Sequence, residues 1–93
     1  EATITEADKL FVDATEQAGL EAGDICSAVD KGLVQWSKVQ ELRHVVSGAI
    51  KGRDDAGQIV YAKMMGTGVA DVAAAKLAYD SAKAAGLGTE MDW

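Results

Sequence analysis

Gly66-Thr67-Gly68-Val69-Ala70-Asp71 is the stretch of this 93-residue chain whose residue types and spacing come nearest to a ligand-binding loop. Two glycines between an apolar run and a helix let main-chain N–H groups gather at a positive helix end, where an anion or polar ligand group can be held. The third glycine of G-x-G-x-x-G is missing, and Asp71 in its place would repel a pyrophosphate. No second strand with an acidic ribose partner follows about twenty residues on, because the chain is still helical there. The turn reads instead as a strand-to-helix connection with small residues for close packing.

Asp13 is the next candidate. It follows the apolar run Leu10-Phe11-Val12 and so stands at the carboxyl edge of the strand that run predicts, where ligands sit in open α/β sheets, or it caps the following turn. Asp71 either belongs to the first turn of its helix or lines a site beside it. Glu21 and Asp24 are two carboxylates of the kind an acid/base pair uses, but acidic residues in early helical turns are accounted for by the helix dipole. Cys26 has no histidine or basic neighbour to lower its pKa and reads as a small buried hydrophobe. His44, beside Arg43, has no second strong ligand nearby and reads as a solvated residue rather than a metal ligand. Lys51 and Arg53 would suit a phosphate, yet Asp54 and Asp55 neutralise them locally. The expectation is therefore no catalytic constellation and no metal site within the chain.

The elements that must position these residues follow from pattern. Ile4 to Lys9 offers a short turn with Thr5 as N-cap, and Leu10-Phe11-Val12 is apolar without alternation, as a strand buried on both faces of a parallel sheet should be. Glu16 to Gly32 reads as helix interrupted by Gly19 and Gly23. Ser37 opens a capping box with Gln40, predicting a helix to Gly48 whose apolar side is Val39, Leu42 and Val46, with Trp36 packed on its first turns. Ala49 to Gln58 is a charged loop. Ile59-Val60-Tyr61-Ala62 is a strand, and Val69 to Ala85, free of glycine and proline, is one helix of about 25 Å with a small-residue face formed by Ala70, Ala74, Leu77, Ala78, Ser81 and Ala85. Strands alternating with helices define the α/β class.

Composition narrows the function further. Lys plus Arg number 9 against 15 Asp plus Glu, a net charge of -6, which argues against a nucleic-acid backbone or an anionic membrane as partner. One cysteine cannot make an internal disulfide, and the acidic start is unlike a basic signal peptide, so a cytoplasmic protein is expected. No apolar run approaches the roughly 20 residues of a membrane span.

Tyr61 to Ala75, YAKMMGTGVADVAAA, resembles the signature F-K-S-V-G-x-A-x-x-D-x-A-A-A of the ornithine cyclodeaminase/μ-crystallin family. Two further blocks fall in that family's order: Phe11-Val12-Asp13 with Glu21-Ala22-Gly23-Asp24, then Glu41-Leu42, Val45-Val46-Ser47-Gly48 and Gly52-Arg53. The resemblance implies the C-terminal part of a Rossmann-type NAD(P)-binding protein, with short strands, three main helices and a long C-terminal helix. It assigns residues 1–57 to the end of the dinucleotide-binding domain, and 58–93 to a strand and helix returning to a substrate and dimerisation domain. It also implies NAD or NADP, an amino-acid or imino-acid substrate, and a homodimer. The activity implied is that of an amino-acid dehydrogenase, cyclodeaminase or imino-acid reductase, inactive in these residues alone. In the family, the Ser-Val of K-S-V-G lies beside nicotinamide and substrate. Those positions are Met64 and Met65 here, which leaves main-chain contacts at Met64, Met65 and Gly66 for the cofactor and a softer wall at Met65 for the substrate. A ligand-binding protein of the μ-crystallin kind without turnover and a stand-alone α/β interaction module are the alternatives.

Overall fold

The computed structural model describes residues 1–92, so the expected fraying or docking of Trp93 lies outside the described residues. Three parallel strands form one sheet in the order β2-β1-β3: β1 is Lys9–Val12, β2 is Val39–Glu41 and β3 is Val60–Lys63. Leu10, Phe11 and Val12 of the central strand are all buried, which is why that run shows no apolar/polar alternation. Leu10 and Val12 face a core of Ile4, Ala7, Ala18, Ala22, Ile25, Ala28, Val34 and Val39. Phe11, one residue out of step, is buried on the other side.

Between β1 and β2 the chain forms α2 (Thr15–Glu21) and α3 (Gly23–Asp30), preceded by a short α1 (Ala2–Glu6) ahead of β1. Of the two interruptions expected in the helix over Glu16 to Gly32, the one at Gly23 is present and Gly19 lies inside α2. Ala22, at φ -81 and ψ 72, is the break, and the bend turns Ala18, Ala22, Ile25 and Ala28 onto the same core. Thr5 does not cap a turn forward: its hydroxyl donates back to the Glu1 carbonyl at 3.0 Å within α1. Cys26 is half-buried rather than buried, its Sγ 3.5 Å from the carbonyls of Ala18 and Gly19.

The helix expected from Ser37 to Gly48 is replaced by a 3-10 turn (Trp36–Lys38), β2 and a short α4 (Leu42–Val46). Val39 pairs with Leu10 and Glu41 with Val12, so main-chain pairing to β1 and burial of Val39 override the helical period. Ser37 Oγ meets Gln35 Oε1 at 3.5 Å instead of capping, Trp36 is exposed, and Val46 projects into solvent.

The charged loop before β3 is strapped at both ends. Lys9 Nζ bonds the Lys51 carbonyl at 2.8 Å and pairs with Asp54 at 3.0 Å. Asp8 N–H donates to the Ile59 carbonyl, and Asp8 Oδ2 accepts from the Ile59 N–H, each at 2.8 Å. Arg53 turns inward on the same loop to the Gln58 carbonyl.

After β3 the chain enters α5 (Gly68–Ala84), whose N-cap Thr67 accepts from the Ala70 N–H at 3.3 Å. No α5 residue is buried. The radius of gyration, 17.7 Å, exceeds the roughly 12 Å of a compact chain of this size, because α5 extends from the body instead of lying on it. Its small-residue face is thus uncovered. No helix among the described residues is long and apolar enough to cross a membrane.

Candidate functional site at the carboxyl edge of the sheet

All three strands end at one edge, and a carboxylate holds each of the junctions there. Asp13, just past β1, accepts the Ala14 N–H on Oδ1 at 3.0 Å. Its Oδ2 accepts two successive N–H groups, Met65 at 3.0 Å and Gly66 at 2.9 Å. Two converging N–H groups of this kind form an anion-binding concavity, and the anion that fills it is the protein's own side chain. Gln17 Nε2 holds the other side of the turn through the Gly66 carbonyl at 3.3 Å. Gly66 has φ +90, a conformation that a side chain at this position would strain.

Each trans peptide sets its N–H and C=O in opposite directions. With the N–H groups of Met65 and Gly66 turned to Asp13, the carbonyls of Met64 and Met65 turn away from β1, toward the side of β3 that pairs with no other strand. Met64 is 54% exposed there, while Met65 is half-buried against the core. The structure therefore brings Asp13, Met65 and Gly66 into direct contact and leaves Met64 at the open edge. Asp71 stands exposed in the first turn of α5. On the other side of Asp13 is a largely apolar cleft of about 700 Å³ between α4 and α5, walled by Arg43, Val46, Ser47, Thr67, Val69, Ala70 and Ala73 together with Asp13. Asp71 is outside it.

Two further carboxylates at this end, Glu41 and Asp24, have partners that sequence reasoning missed. Glu41 Oε1 accepts the Thr15 N–H at 3.1 Å and its hydroxyl at 2.9 Å, while Oε2 pairs with Arg43. The Thr15 N–H, then its hydroxyl, hold the Glu41 carboxyl below the usual range. Asp24, at the start of α3, accepts from the Tyr61 hydroxyl at 2.9 Å and from Lys63 Nζ at 3.1 Å. Burial pushes the Asp24 carboxyl up, but bonds from Tyr61, Lys63 and the Ile25 N–H outweigh it and the net shift is downward. The same contact raises Lys63, and burial followed by the Asp24 bond raises Tyr61. The available signal was the i, i+2 placing of Tyr61 and Lys63 on one face of a strand.

These signs fix a pH window. The lowered Asp24 stabilises the fold fully above its unfolded value of 3.8 and loses that contribution as pH falls through the folded value. The raised Tyr61 and Lys63 contribute fully below 10.0 and 10.5, and lose it as pH rises through their folded values. Asp24→Asn is expected to lower stability by about 1 kcal/mol, held to that size by solvent at a side chain 32% exposed. Urea unfolding of both proteins should show a constant difference from about pH 5 to about pH 9 that closes on acidification. A difference growing toward acid pH would contradict the assignment.

Outward carbonyls at Met64 and Met65 are acceptors for the N–H donors of a ligand. The Gly66 N–H is already bonded to Asp13 and the Ala70 N–H to Thr67, so this turn is no pyrophosphate cradle.

Residues 1–86 match the model of the ornithine cyclodeaminase/mu-crystallin family, and the chain belongs to that family. Delta(1)-pyrroline-2-carboxylate reductase of Bacillus cereus is 33% identical over 91 residues, which take in 97% of this chain and 28% of that protein. N-((2S)-2-amino-2-carboxyethyl)-L-glutamate dehydrogenase of Staphylococcus aureus is 31% identical over 88 residues, 94% of this chain and 26% of that one. Delta(1)-pyrroline-2-carboxylate reductase of Thermococcus litoralis, solved in complex with NADH and L-proline, superposes with a TM-score of 0.79 at 34% identity, covering 95% of this chain and 27% of its own. The α/β fold is therefore that of the Rossmann-type reductases of the family, and the chain spans 28% of the length of the Bacillus relative.

Proposed function

We propose that this chain supplies part of the nicotinamide end of an NAD(P)-dependent enzyme that reduces a cyclic imino acid or oxidises the corresponding amino acid. The observation that carries the reading is the likeness of 95% of the chain to a reductase holding NADH and L-proline, together with the two outward carbonyls at the end of β3. A reduced nicotinamide bound there would supply a hydride. The chain's own part is to accept the carboxamide on the Met64 and Met65 carbonyls, and to offer the Met65 side chain as an apolar wall for the substrate. Residues 1–57 belong on this reading to the dinucleotide-binding domain. Residues 58–93 return to a substrate domain that also forms a homodimer, with the small-residue face of α5 as the surface it meets. A cytoplasmic setting suits such an enzyme.

The test uses the protein that carries this chain, with NADH or NADPH and Delta(1)-pyrroline-2-carboxylate. Imine-dependent loss of the reduced-nicotinamide absorbance, with proline as product, is the expected result. Cofactor that binds without hydride transfer, neither NAD(P)H oxidised with any cyclic imine nor NAD(P)+ reduced with amino acids, would overturn it.

A second reading is a μ-crystallin-like protein that binds the dinucleotide without turnover. Asp13, Asp24 and Glu41, the carboxylates at the strand ends, are engaged in structural bonds, so on either reading they hold the edge in shape and a general acid would come from outside these residues. Cofactor binding without hydride transfer is the outcome that would select the second reading.

A further inference from the structure

We propose that Asp13 is a positioning residue for the cofactor, acting through the main chain of Met64 to Gly66; this rests on the reading of that turn as the nicotinamide end. A peptide in a loop is free to flip, and a flip of either unit would replace an outward carbonyl by an outward N–H. A carboxamide nitrogen would then face a donor. Asp13 prevents this by accepting both N–H groups on one oxygen at 3.0 and 2.9 Å. The Gly66 φ of +90 permits the fold-back that this needs. The other oxygen is committed to the Ala14 N–H, which fixes the carboxylate's rotation. Both oxygens must therefore be acceptors, a requirement that aspartate meets and asparagine does not. Asp13 itself turns away from the open side of β3 and touches no ligand placed there.

Asp8 gives a control on the same strand. Its carboxylate accepts the Ile59 N–H at 2.8 Å, at the amino end of β3 and away from the proposed site. Removing it loses a comparable structural bond and leaves the Met64 to Gly66 peptides alone.

The experiment is a fluorescence titration of the chain-bearing protein with NADH, with thermal melting in parallel. Asp13→Ala is expected to weaken NADH about tenfold, and Asp13→Asn by a smaller factor, because its single carbonyl can satisfy one side but not both. Asp8→Ala, which removes the acceptor of the Ile59 N–H, is expected to melt earlier yet bind NADH with the parent's affinity. If Asp13→Ala does not fold, the comparison of Asp13→Asn with Asp8→Ala decides the matter. Unchanged NADH affinity in the folded Asp13 variants, or an equal loss in Asp8→Ala, overturns the proposal and leaves Asp13 a purely structural clamp. A parent protein that binds neither NADH nor NADPH overturns the functional reading beneath it, and this proposal with it; one that binds NADPH alone is titrated with NADPH instead.

Discussion

Leu10→Ala is expected to lower stability by about 3 kcal/mol, a large loss for a single substitution. Leu10 is fully buried in the middle of the central strand, paired on one side with Val39 and on the other with Tyr61. Its side chain meets a core of small residues, Ala18, Ala22 and Ala28 among them, brought together by two helices that meet at Ala22. Small side chains cannot swing into the space left by a deleted isobutyl group, so the cavity stays open and its full cost is felt. A chain of this size has about 5 to 14 kcal/mol of stability, and the loss takes a large share of it. Leu10→Met, which nearly conserves volume, should cost less than about 1.5 kcal/mol. Guanidinium unfolding of the three proteins checks both values; a loss in Leu10→Ala as small as about 1 kcal/mol would mean that the site is tolerant of cavities and that β1 is not the centre of the core.

The same strand shows why part of the fold was legible in the sequence. Leu10-Phe11-Val12 reads as a doubly covered parallel strand because burial on both faces leaves no polar position, and α5 reads as a helix because seventeen residues without glycine inside or proline leave no alternative. β2 was hidden for the opposite reason. Val39, Gln40 and Glu41 carry no strand pattern of their own, and what makes them a strand is a ladder to residues 29 positions earlier in the chain. Ser37 and Gln40 imitate a capping box, but burial of Val39 and three residues of parallel pairing outweigh it.

The candidate site divides along the same line. Asp13, Met64, Met65 and Gly66 could be named because they sit at strand ends and because the surrounding blocks resemble a known family. What Asp13 does could not be read, since its partners lie 52 and 53 positions away. Asp24 illustrates the limit more sharply: helical position alone explains an acidic residue there, and only the fold brings Tyr61 and Lys63, 37 and 39 residues on, to its carboxylate. Local chemistry is visible in a sequence, whereas a carboxylate's choice between helix dipole, strap and ligand is settled by non-local geometry.

Leu77→Lys should separate a chain that ends in a free helix from one whose helix is covered. Leu77 is 69% exposed, and α5 makes no close packing with the sheet, so in the 93-residue chain the substitution is expected to change stability by no more than about 0.5 kcal/mol. On the proposed reading, the substrate and dimerisation domain lies over the face that Leu77 shares with Ala70, Ala74, Ala78 and Ser81. Alanines along that face let an opposing backbone approach closely, and a lysine projecting from among them would have to bury its ammonium or push the partner away. In the assembled protein the same substitution should therefore cost about 2 to 3 kcal/mol, with dissociation of a dimer in sedimentation or light scattering if the covering surface is a second subunit. Lys76→Glu supplies the contrast, because Lys76 lies on the charged side of the helix, bonded to Asp80 at 2.6 Å in a solvent-exposed i, i+4 pair. Its replacement should cost about 0.5 kcal/mol in both settings. An assembled protein as indifferent to Leu77→Lys as the isolated chain would show that nothing packs on that face, and that residues 58–93 do not return to a second domain through it.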